Sequence, residues 1–83
     1  METGTWYREK TFNQKNGKDE WKYYYVKDII PETGEAEIDI YRIYHDGRVS
    51  EPRTGRTYSD LLEQMARVSE EYACSELHIS PPG

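Results

Sequence analysis

Apolar and polar positions alternate with a period of two through the first two thirds of the chain, then change to a helical spacing near Tyr58. The alternating part is rich in Tyr, Ile, Val and Trp and is divided by turn-forming pairs, which predicts strands over Thr5 to Asn13, Glu20 to Ile30, Glu35 to His45 and Arg48 to Arg53. Asn16-Gly17 suits a two-residue turn with positive φ at both positions, setting Lys15 opposite Lys18 and Phe12 opposite Trp21. Pro31-Glu32-Thr33-Gly34 predicts the second turn, with Ile30 facing Glu35; the same register pairs Tyr25 with Ile40, Trp21 with Tyr44 and Tyr24 with Tyr41. Asp46-Gly47 predicts the third, pairing His45 with Arg48, Tyr44 with Val49 and Arg42 with Glu51.

From Tyr58, apolar residues fall at Leu61, Leu62, Met65, Val68 and Tyr72, the stripe of one helix running to about Cys74. Thr57 with Asp60 matches a capping box, and Ser59 is an alternative cap. Leu77 to Ser80 alternates and predicts a short edge strand ended by Pro81-Pro82. The expectation is therefore one small α+β domain over residues 1–83. It is an antiparallel four-stranded meander, with a short fifth strand at the C-terminus, covered on one face by a single C-terminal helix.

One helix covers one face and leaves the other open. In the register above, Trp6, Phe12, Trp21, Tyr23, Tyr25, Ile38, Ile40, Tyr44 and Val49 form the core face under the stripe. The opposite face carries Tyr7, Lys22, Tyr24, Val26, Tyr41, Ile43, His45 and Arg48. That mixture is too apolar for an idle surface, and Tyr and Arg on a rigid sheet are good contact anchors. Tyr7, Lys22, Tyr24, Tyr41, Ile43, His45 and Arg48 are thus candidates for binding a protein partner or a second copy in a homodimer.

Composition narrows the functional classes. Eleven Lys and Arg against sixteen Asp and Glu give a net charge of -5, which argues against direct nucleic-acid binding, since that rests on neutralising phosphates. The charge is blocked: residues 28 to 41 hold five acids and no base, whereas Arg42, Arg48, Arg53 and Arg56 dominate the next fifteen residues. Such runs are usually solvated edges; read functionally, they offer an acidic surface to a basic partner, or an inhibitor that imitates nucleic acid. Eleven aromatics compensate for a hydrophobic fraction of only 35% and a mean hydropathy of -1.04. No membrane-length apolar run or signal peptide is visible, and the lone Cys74 has no internal disulfide partner, so a cytoplasmic protein without membrane contact is expected.

Catalytic chemistry is sparsely represented. His45 and His78 are the near-neutral acid-base groups, and neither has a neighbour completing a nucleophile arrangement, so no catalytic residue and no enzyme activity are expected. Cys74 and His78 are two ligands where structural zinc wants four, and Glu35, Glu37 and Asp39 on one strand face fit calcium poorly; no metal or other cofactor is expected. Arg53-Thr54-Gly55-Arg56-Thr57 resembles an anion cradle, a Gly-containing loop feeding a helix, with Arg53, Arg56 and Thr57 as candidate ligands. The leading expectation is a non-enzymatic interaction module using the aromatic sheet face, with a small-anion-binding regulatory domain as the alternative.

Overall fold

The computed structural model describes residues 1–81, so Pro82 in the expected stop signal lies outside the described residues. The elements are β1 (Trp6–Asn13), β2 (Lys18–Ile30), β3 (Glu35–Ile43), β4 (Arg53–Tyr58), α1 (Ser59–Glu63), β5 (Ala66–Val68) and α2 (Glu70–Leu77). The chain is α+β, and the five strands form one antiparallel sheet in the order β4-β3-β2-β1-β5. The expected meander is present, with three differences that bear on function.

The first is a bulge. The turn ahead of Glu35 forms as expected, with Gly34 at φ +74 donating to Ile30 O at 3.0 Å, and Ile30 pairs with Glu35. The register then slips by one between Val26 and Asp28, which leaves Lys27 unpaired across the ladder. Beyond the bulge Tyr24 faces Ile40 instead of Tyr41, Tyr23 faces Tyr41, and Trp21 faces Ile43 instead of Tyr44. A one-residue slip exchanges the faces of one strand relative to the next. Ile38 and Ile40 therefore join Tyr7, Tyr24 and Val26, while Tyr41 and Ile43 join Trp6, Trp21, Tyr23 and Tyr25.

The second difference is the helix. Instead of one rod from Tyr58 to Cys74, the chain forms two short helices separated by β5, which pairs with Trp6, Tyr7 and Arg8 at the sheet edge. The physical reason is that both sheet faces are apolar and one helix covers only one. Leu62 of α1 seals Tyr7, Tyr24, Val26, Ala36 and Ile38 on one face. After the chain crosses the edge, Ala73, Cys74 and Leu77 of α2 seal Trp6 and Tyr23 on the other. Trp6 packs there against Tyr25 and Tyr41 at centroid distances of 4.9 and 5.6 Å, contacts worth ~0.5–1.5 kcal/mol each beyond area burial. Ser69 starts α2 by accepting from the Tyr72 amide at 3.1 Å, and His78 ends it in the left-handed conformation at φ 56.

The third concerns strand limits and turns. The fifth strand is Ala66–Val68, and Leu77 to Ser80 is not a strand. The fourth strand is Arg53–Tyr58, later than expected, and the Asp46-Gly47 tip pairs Ile43 rather than Tyr44 with Val49. The first turn spans four residues, with Asn13 opposite Lys18 and Phe12 opposite Asp19; only Gly17 takes positive φ, and Asn16 uses its side chain to accept from the Lys18 amide at 2.9 Å. Phe12 is left 62% exposed.

Candidate functional site

These differences move the expected contact residues. Tyr7 and Tyr24, at 5% and 7% exposure, are interior beneath α1, and the Tyr24 hydroxyl donates to the Glu9 carboxylate. Burial, reinforced by Glu9, raises the Tyr24 phenol well above its ordinary range. Tyr41 and Ile43 lie on the other face against the α2 cluster. The aromatic surface expected to be one continuous docking face is thus divided between two cores, because the Lys27 bulge reverses β3 relative to β2 and each face has its own helix. Arg48 sits at the β3–β4 tip, pairing with Asp46 at 2.8 Å and stacking over Tyr44 at 5.2 Å.

The expected anion cradle is corrected as well. Residues 53 to 58 are a strand rather than a loop, so Arg53 and Arg56, three apart, lie on opposite faces. Arg56 lies opposite Glu37, Arg53 lies opposite Ile40, and Thr57 lies opposite Ala36 beside α1. A five-residue α1 without a side-chain cap provides no anion site of its own.

What the topology does assemble is a basic half-face. α1 covers only the end of its face near Val26 and Ile38, leaving the end near the β1–β2 and β3–β4 turns open. There Lys22 lies directly opposite Arg42, and Arg53 lies opposite the neighbouring Ile40. These residues, with Tyr44 and Ser50, line a cleft of about 180 Å³. Like charges directly across a ladder are unfavourable. Among the described residues neither Lys22 nor Arg53 has an ion-pair partner, while Arg42 Nε is 3.7 Å from Glu20 Oε1. Arg42 also packs over the Tyr44 ring at 5.7 Å, and Ser50 Oγ accepts its backbone amide at 2.9 Å, which fixes its base on the strand.

Glu20 is the other unusual member. It is 2% exposed; its Oε2 accepts from Asn13 Nδ2 at 3.1 Å, its Oε1 faces Arg42 Nε at 3.7 Å, and His45 Nδ1 lies 3.9 Å from Oε2. It forms the floor of an adjoining depression of about 500 Å³ that shares Lys22 and Arg42 with the cleft and adds Lys15. A buried acid beneath clustered cations offsets part of their repulsion and orients Arg42. Lys22 and Arg53 were both singled out in the sequence, for different reasons. Arg42, Ser50 and Glu20 were not, because their association depends on the post-bulge register, which no local signal marks.

The remaining candidate groups do not converge. His78 caps α2, Cys74 is buried with its thiol pushed up by desolvation, and Lys27 reaches Asp39 at 3.6 Å and Glu37 at 4.0 Å. No helix among the described residues is long and apolar enough to cross a membrane. Comparison of the chain with protein families, with curated proteins and with solved structures finds no match.

Proposed function

We propose that this chain is a small non-enzymatic binding module whose contact surface is the open basic half-face, where Lys22, Arg42 and Arg53 hold an anionic group of a partner protein. The observation that carries the reading is the convergence of these three cations around one cleft on a chain of net charge -5, two of them without an ion-pair partner among the described residues. Lys22 lies opposite Glu9 on β1 and opposite Arg42 on β3, and the second, like-charged pairing is unfavourable for the ladder itself, so we read it as serving recognition. The volume sets the ligand: about 180 Å³ is below the ~300 Å³ where small-molecule pockets begin, so the cleft takes one carboxylate or phosphate group, with the rest of the partner lying over the sheet. Arg42 has guanidinium donors beyond the one facing Glu20, and Lys22 and Ser50 supply further donors.

A titration with sulfate followed by amide chemical shifts, repeated with a phosphoserine peptide, tests this. Binding in about the millimolar range is expected for the free ion. Lys22→Gln and Arg53→Gln should each weaken it about tenfold, the low end for a charge-assisted contact, whereas Arg56→Gln on the opposite face should leave it unchanged. Equal weakening by Arg56→Gln, or no shifts around the cleft, would count against the proposal.

A further inference from the structure

We propose that His45 is a proton-operated latch on this cleft, an inference that rests on the binding reading above. Asn16 anchors the contact on which this rests. Its Oδ1 accepts the Lys18 amide at 2.9 Å, which fixes the side-chain amide and turns Nδ2 to His45 Nδ1 at 3.1 Å. An NH₂ group can only donate, so Nδ1 is the acceptor and the imidazole in this contact is neutral, with its proton on Nε2. The contact ties the β1–β2 turn to the β3–β4 turn, twenty-nine residues apart in sequence.

Protonation turns Nδ1 into a donor facing a donor, and the tie is lost. The carboxylate within reach is Glu20, with Oε2 at 3.9 Å, the same group that Asn13 and Arg42 already hold. The imidazolium turns to Glu20 and takes a share of its charge. Arg42, which lines the cleft, is then less committed to Glu20 and freer to meet an anion there, and one positive charge is added beside Glu20. The charged groups about His45 are Glu20, Arg42 through the carboxylate it shares with His45, and Asp46 on its own turn, which is paired with Arg48 at 2.8 Å. The outcome is an anion site that tightens when His45 takes up a proton, while the β1–β2 turn is released.

Sulfate is the suitable probe because it stays a dianion from pH 8 to pH 5.5. Its affinity should be about fivefold higher at pH 5.5 than at pH 8, the scale of one added charge near a solvated site. His45→Gln should remove the dependence, and His78→Gln, at the end of α2, should retain it. In the ligand-free protein the Asn16 side-chain amide resonances should move with the His45 titration. An Asn16 amide indifferent to that titration overturns the latch, and pH-independent sulfate binding beside a moving amide overturns its coupling to the cleft. Failure of sulfate to bind at either pH while the amide still moves refutes the binding reading and leaves the latch standing.

Discussion

Replacing Leu62 and its neighbour Leu61 in turn by Ala gives a direct measure of how the two faces are covered. Leu62 is fully buried at 0% exposure and is the residue of α1 within the cluster of Tyr7, Tyr24, Val26, Ala36 and Ile38, whereas Leu61 is 46% exposed. Buried Leu→Ala changes cost ~2–5 kcal/mol, set by how far the site collapses. α1 has five residues and no side-chain cap, so it relaxes by fraying, and about 3 kcal/mol is expected for Leu62→Ala. Leu61→Ala should cost about 1 kcal/mol or less, in proportion to the smaller area it removes from water. For a domain of 83 residues, total stability is of the order of 4–12 kcal/mol, so the first change is large. At ~4–8 °C per kcal/mol it lowers Tm by about 12–24 °C. Urea unfolding followed by the fluorescence of Trp6 and Trp21 reads both variants, with unchanged slopes showing that the same transition is being compared. A continuous helix whose stripe includes both leucines would make the two losses similar. Equal losses would therefore refute the division of the helix between faces.

Three further outcomes follow from the packing. Ser69→Ala removes the acceptor for the Tyr72 amide and should lower stability by about 1 kcal/mol in the same urea assay; a change within error would show that the α2 start is held otherwise. Cys74, buried and with its thiol raised by desolvation, should react with a thiol reagent only as fast as the α2 cluster opens, and immediate labelling of the native protein would contradict its placement. Burial raises the phenol pKa of Tyr23, Tyr24 and Tyr41, so the folded state holds these protons more tightly than the unfolded chain. Stability should be intact below about pH 10, the ordinary tyrosine value, and fall as pH climbs above it. Tyr24→Phe should flatten part of that fall, and a urea midpoint constant from pH 8 to pH 11 would refute it.

Local chemistry made much of the fold legible. Gly17, Gly34 and Gly47 adopt the positive φ that their turns demand, a preference each carries without reference to the rest of the chain, and the period-two runs before and between them became β1, β2 and β3. The start of α2 is written locally as Ser69-Glu70-Glu71, a cap followed by acids, a signal that reading Leu61 to Tyr72 as the stripe of one helix passed over. Three matters were settled only in three dimensions: the bulge at Lys27, the passage of Ala66–Val68 along the edge of β1, and the meeting of Lys22, Arg42 and Arg53 over Glu20. Alternation states that neighbouring side chains point to opposite sides, but not which side a strand shares with its neighbour, because that depends on pairing partners distant in sequence. The extra residue at Lys27 reversed that choice for β3, and with it decided which tyrosines became interior and which cations were left in the open.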